Sequence, residues 1–435
     1  ELLSHAEDLL RDGLHTAEVA EGYAKAGKKA LEILEELVLP GSEKMDVFNP
    51  TDVANRIKGS VGSKQYGYED VLAPLIAQAC ISVCPQNAHN FNVDNVRVAK
   101  IPGGGLHDSS VINGLVIRRD TEGSVKNLKD CKVVVYAQGV DTSATETKGT
   151  VLLKTAAELE SYSRGEEEKM EAIIKGISES GVKMIVSGSA IGELAMHYIE
   201  RNGMMAVKIP SKFELRRVCR ATGATALIKF EAPKPEELGF AAGVDVQEIG
   251  GTRRIVLKQD SSRGKIATVV LRASTENVLD DVERAVDDGV NAFKALGRDP
   301  RTVAAGGASE IEIAHRLAAF GRKETGLEQY AINKFAESLE VVPRTLAENA
   351  GQNATDVVSQ LYAAHAAGDT NAAVDIEEGG VCDLTKVSIL DVYTTKWWAI
   401  KLAADAVNTV LRVDQIIMAK QAGGPKPKGP GGDED

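Results

Sequence analysis

Apolar positions recur at helical spacing over the first 39 residues (Leu2, Leu3, Ala6, Leu9, Leu10, Leu14), and Gly13 separates two predicted helices. After LPGSEKMDVFNPTD a second helical region runs to Cys84, where Pro85 and the polar QNAHN end the pattern. Between about 90 and 275 the period changes. Short β-rich runs (NVRVAKI, CKVVVYA, VKMIVSGS, MMAVKIP, RIVLKQ, IATVVLRAS) alternate with helical stretches, as in an α/β layer domain. From Ser274 onward helix returns, and ENVLDDVERAVDDGVNAFKAL places Val278, Val282, Ala285, Gly289 and Phe293 on one apolar stripe. A chain that is helical, then α/β, then helical predicts a multidomain α/β protein with an inserted domain, its first and last segments packing as one discontinuous unit. The charged stretch ETKGTVLLKTAAELESYSRGEEEKMEAIIKGI ends in a long helix. Its Glu166 to Lys169 read either as a solvated face with i,i+3 and i,i+4 pairs or as part of a projecting element. The tail AGGPKPKGPGGDED is predicted to be disordered.

Composition narrows the function classes. With 435 residues and 43% hydrophobic content the chain can bury several cores, which suggests roughly two to four domains. A net charge of -12 and a pI near 5.3 oppose a nucleic-acid partner. The five cysteines are odd in number and scattered, which predicts a reducing, cytoplasmic setting; Cys80 and Cys84 have helical spacing but no second pair at zinc-site distance, so they read as core. No run approaches the roughly 18 apolar residues of a span, so no membrane partner is expected. Because ELLSHAEDLLRDGL opens in mid-helix without a capping residue or an initial Met, the reading predicts that a segment precedes Glu1.

Two glycine-rich segments invite a nucleotide reading. In VAAGGASEIEIAHRL, Gly306 and Gly307 precede a predicted helix, whose unpaired N–H groups attract anions when no side chain blocks the approach. The alternative is an ordinary turn, since neither GxxxxGK[ST] nor GxGxxG is present. IPGGGLHDSS is followed by neither a Lys-Ser/Thr pair nor a helical pattern, and reads as a hinge.

The strings SKQYG, FNVDNVRVAKI, TETKGTVLLKTAAEL, ERAVDDGVNAFK and RVDQIIMAK occur in order along the chain and together closely resemble the TRiC/CCT chaperonins, the TCP-1 family of group II chaperonins. The resemblance covers essentially the whole chain. It implies the chaperonin fold: a discontinuous, all-helical equatorial domain (1–38 and 298–420), an intermediate hinge domain (39–107 and 265–297) and an inserted α/β apical domain (108–264) with a lid protrusion, followed by the tail 421–435. It also implies a cytoplasmic, ATP-dependent chaperone that joins seven paralogous subunits in a hetero-oligomeric double ring and folds non-native clients such as actin and tubulin. Client contacts would lie on the apical helix SKFELRRVCRATGA, where Lys212, Glu214, Arg216 and Arg217 offer a charge-selective surface or pair with their neighbours.

The site residues follow from the same resemblance. In AVDDGV, Asp288 matches the family's catalytic aspartate that orients the attacking water; the alternative is an i,i+4 pair with Arg284. GSVGSK resembles the loop whose lysine contacts the γ-phosphate, which assigns Lys64 with Gly62 and Ser63 beside it. VAAGGASE matches the family's VPGGGA pattern, so Gly306 and Gly307 would lie near the nucleotide, with Ala304 and Ala305 replacing a proline and a glycine. Asp391 matches the ribose-binding acid, and Asp375 falls near the base-contacting loop; either also reads as a capping or surface carboxylate. The family's phosphate loop and its Gly-Asp-Gly-Thr motif, whose aspartate holds Mg²⁺, would lie upstream, and no such string occurs in the sequence. No metal ligand is therefore assigned. The expectation is that a longer parent hydrolyses ATP and that this chain alone binds it poorly, the alternative being a truncated, non-hydrolysing scaffold or peptide-binding fragment.

Overall fold

The computed structural model describes residues 1–141, 155–260, 265–420 and 423. The tail and residues 142–154 of the predicted protrusion lie outside these. Two compact units are formed: Glu1–Leu37, Gly306–Asp383 and the chain from Lys396 make the first, Val38–Ala305 and Leu384–Thr395 the second.

In the first unit the two ends of the chain pack together, as the helical–α/β–helical order predicts. The helix Thr16–Glu36 starts at His15, whose ring accepts from the Ala17 amide while Glu18 reaches back to the His15 amide. Its Tyr23 meets Phe335 of the helix Glu328–Leu339 edge-on, with ring centroids 5.7 Å apart. Ile311, Val357, Val358 and Leu361 from the helices Ala308–Gly321 and Ala354–Ala366 pack on Ala372 and Val374. Below them sits a buried polar network. The His365 ring lies 2.6 Å from Glu312 Oε2 through Nδ1 and 2.9 Å from the Ala372 carbonyl oxygen through Nε2, while Arg316 Nε donates to Glu312 Oε1 at 2.6 Å. Burial alone would raise the Glu312 carboxyl, but His365 and Arg316 outweigh it and hold it below the ordinary value.

The second unit is built on a mixed nine-stranded sheet. Its order is Val96–Pro102, Ala267–Ala273, Ser110–Ile117, Thr252–Lys258, Gly239–Ile249, Asn127–Tyr136, Val182–Ser187 and Met205–Lys208, with Ala226–Leu227 also paired to Asn127–Tyr136. Alternate residues serve opposite faces. Val133, Val135, Met184 and Val186 pack under Leu215, Val218 and Ala221 of the helix Lys212–Thr222. Val134, Tyr136 and Ile185 pack under Met170, Ile174, Ile177 and Ile199 of the crossover helices Ala156–Glu179 and Glu193–Arg201. Glu167, Glu168 and Lys169 are exposed, as a solvated face requires.

All six β-rich runs form strands. Ser110–Ile117 and Gly239–Ile249 were not legible, because glycines and alanines interrupt their apolar alternation. The helical C-terminal region also carries short ribbons: Thr302–Ala304 pairs with Leu390–Val392 in the second unit, and Ala372–Val374 with Val381–Asp383 in the first.

Beside the sheet, the helices Pro50–Gly62, Glu69–Val83 and Glu276–Arg298 share one core that includes Cys80, consistent with the core reading of that cysteine. On the last helix the buried face is Leu279, Val282, Ala285, Val286, Gly289, Val290, Phe293 and Leu296. Val278, expected on this stripe, is exposed: the face begins at Leu279, one residue later. At Gly289 a Cβ atom would lie 2.9 Å from Ile76 Cδ1 and 3.2 Å from Val61 Cγ2.

Two stability predictions follow from these contacts. Gly289→Val should lower the unfolding free energy by about 1–3 kcal/mol through overpacking, whereas Gly165→Ala, in open space on a helix, should raise it by about 0.5–1 kcal/mol; chemical denaturation measures both. Glu312→Gln should cost about 3 kcal/mol at neutral pH by stranding its buried partners. Since the folded Glu312 pKa is lowered, its contribution is present above the ordinary value of 4.5 and is lost as pH falls through the folded value. The stability gap between wild type and Glu312→Gln should therefore close on acidification, as urea titrations at stepped pH would register.

Candidate functional site

Lys64 and Asp288, remote in sequence, are brought together. Lys64 follows the helix Pro50–Gly62 by two residues; its amide donates to the Val61 carbonyl at 3.1 Å, and Ser63 Oγ to the Ser60 carbonyl at 2.7 Å. The GSVG string is thus the last turn of a helix, and Gly62 is helical, where the resemblance implied a loop. A carbonyl-rich helix end repels anions, so of this segment only the Lys64 side chain is suited to attract one. Its Nζ lies 4.0 Å from Asp288 Oδ2, and both side chains are about half exposed. The close crossing at Gly289, one residue beyond Asp288, sets this approach. Arg284 lies 3.4 Å from Asp281, so the alternative i,i+4 partnership with Asp288 is not the one formed. Neighbouring Asp287 is raised above the ordinary carboxylate value, first by burial and then by Glu283.

Asp391 belongs to the same unit. It sits half-buried on the strand Leu390–Val392, in antiparallel register with Val303. That strand packs on the helix Pro50–Gly62 and contributes Val392 to the core of Asp288's helix.

Gly306, Gly307 and Asp375 belong to the other unit. Both glycines are left-handed (φ 65° and 84°), and Gly307 caps the helix Ala308–Gly321; a Cβ there would lie 2.7 Å from Pro343 Cβ. Ala304 and Ala305 avoid positive φ, so replacing the family's proline and first glycine leaves the conformation within reach of alanine. The Gly306 carbonyl accepts from the Val374 amide at 3.1 Å, which ties the glycine turn to the ribbon leading into Asp375. Asp375 Oδ1 in turn accepts from the amides of Glu377 and Glu378 at 2.9 and 3.0 Å, and these bonds hold its carboxyl below the ordinary range. Its carboxylate therefore shapes its own loop, matching the capping alternative.

Sequence reasoning put Gly289 on the apolar stripe but missed its close approach to Val61 and Ile76, and it missed the Glu312–His365 network behind the glycine turn. The i,i+4 spacing of Glu312 and Arg316 was a visible signal for part of that network, but His365 gave none.

A sequence profile described as the TCP-1/cpn60 chaperonin family matches residues 1–421. The T-complex protein 1 subunit theta of Arabidopsis thaliana is 53% identical over 98% of this chain and 78% of its own length; that of Homo sapiens is 50% identical over 100% and 79%. The open-state monomer of a group II chaperonin from Methanococcoides burtonii superposes with a TM-score of 0.68 at 28% identity, covering 95% of this chain and 96% of that one. With its helical, discontinuous first unit and its mixed sheet between helices, the chain belongs to the TCP-1/cpn60 chaperonin family and has the group II chaperonin fold.

Proposed function

We propose that this chain is one subunit of a cytosolic, hetero-oligomeric double ring of eight paralogues that binds non-native polypeptides and folds them on ATP-driven closure. The equatorial, intermediate and apical divisions predicted from the sequence are part of this reading. The observation that carries it is the approach of Lys64 Nζ to Asp288 Oδ2 in a member of this family.

Phosphoryl transfer from ATP requires an in-line water and positive charge at the terminal phosphate. Asp288 supplies an exposed acceptor that orients the water, and Lys64 a compact charge for the phosphate. An exposed pair at this separation is worth only about 0–1 kcal/mol. Lys64 can therefore exchange its carboxylate partner for a phosphate at little cost. Gly306 and Gly307 keep side chains away from the start of the helix Ala308–Gly321, Asp391 serves the ribose, and Asp375 holds the shape of the loop near the base. Mg²⁺ is assigned no ligand among these residues and enters no step here. No helix among the described residues is long and apolar enough to cross a membrane.

A second reading is a non-hydrolysing peptide-binding chain. ATP turnover decides between them. In the ring containing this subunit, Asp288→Ala should retain ATP binding but reduce this subunit's hydrolysis by about 10²–10⁴-fold, and Lys64→Ala should weaken ATP binding by about tenfold. Single-turnover hydrolysis and protease protection of a bound unfolded polypeptide measure the two steps; turnover indifferent to Asp288→Ala would favour the second reading.

A further inference from the structure

Beside the helix Lys212–Thr222 lies a cavity of about 670 Å³ whose lining gathers Arg97, Arg216, Arg217, Arg220 and Lys265. These cations come from three places in the chain: the strand Val96–Pro102, that helix, and the segment entering the strand Ala267–Ala273. Buried Leu215, Val218 and Ala221 fix the helix on the sheet, so its three arginines are presented from a rigid face. One carboxylate, Asp94, also lines the cavity and lies 3.8 Å from Arg97. Among the described residues the side chains of Arg216, Arg217, Arg220 and Lys265 have no ion-pair or hydrogen-bond partner.

This concentration runs against the charge of the whole chain, which is -12. Like charges held in one concavity repel, and an entering anion relieves that repulsion. Arg97 already feels it: burial and then the charge of Arg217 lower its pKa.

The volume lies within the roughly 300–1,000 Å³ of small-molecule sites. Guanidinium forks match phosphate oxygens in pairs. An extended peptide advances about 3.3 Å per residue with alternating side chains, so it brings few carboxylates into one concavity; a phosphate-rich small molecule brings up to about two charges with each group. Phe213, 72% exposed on the same lining, adds an apolar wall.

We propose that this cavity is a binding site for a small polyanion carrying several phosphate groups. It shares no residue with the proposed nucleotide site and stands independently of it.

Calorimetric titration of the whole chain with inorganic tripolyphosphate tests the assignment. Wild type should bind through this cavity, and the Arg217→Gln/Arg220→Gln variant should bind at least about tenfold more weakly. Its unliganded melting temperature should match wild type, while the ligand-induced rise in that temperature is lost. Should the double variant fail to fold, Lys265→Gln, at an exposed position, should still show a loss of about threefold. No binding by wild type, undiminished binding by the cavity variants, or loss confined to Lys64→Ala would each overturn the proposal. So would tighter binding of an acidic peptide of matched charge, which would give the cavity to polypeptide.

Discussion

At Gly289 the helix Glu276–Arg298 runs so close to Val61 and Ile76 that the space of a methyl group is already occupied. That contact governs the second unit's chemistry. One residue earlier, Asp288 points to the side and meets Lys64, whose own position follows from the end of the helix bearing Val61. Both charged residues thus inherit their placement from an apolar crossing, and neither needs a strong mutual attraction to stay in place. Phe91 against Phe293, with ring centroids 4.9 Å apart, holds the same helix toward its far end.

Two electrostatic arrangements in this chain have opposite uses. Glu312, His365 and Arg316 are joined by short bonds, two of the three side chains out of water, and removing one partner strands the others. Such a network suits a fixed framework, and it joins the helix that the glycine turn begins to the helix Ala354–Ala366. Lys64 and Asp288 are solvated and 4.0 Å apart, so they separate easily. A group that must meet a substrate is better served by the second arrangement, and the turn that must hold its shape by the first.

The helical and α/β regions were legible because burial imposes a period on them: 3.6 where one helix face is covered, 2 where a strand alternates between Val133 and Val134. Where small residues replace bulky ones the period fades, as in GFAAGVDVQEI, and ribbons of three residues are too short to show one. Val278 was misplaced by a single position because the valines of VLDDVERAV match helical spacing from either Val278 or Leu279; packing against the neighbouring helices selects Leu279. The candidate residues were legible through resemblance alone, since a lysine after a helix and an aspartate within one carry no period. Gly306 and Gly307 are the exception: both adopt the left-handed conformation that a paired glycine suggests, and the alanines before them do not.

The helix of Asp288 is also tied to the sheet. Lys100, on the strand Val96–Pro102, bonds Asp280 at 2.6 Å and Glu283 at 2.7 Å, both on the N-terminal half of Glu276–Arg298. Arg97, three residues earlier on the same strand, lines the cationic cavity. A rigid helix and a strand hydrogen-bonded along its length to Ala267–Ala273 cannot shift one residue without moving its neighbours. Lys100 thus links the helix that carries Asp288 to the strand that carries Arg97. In this unit the carboxylate proposed for chemistry and one of the cations proposed for anion binding, Arg97, are carried on two elements joined by one lysine.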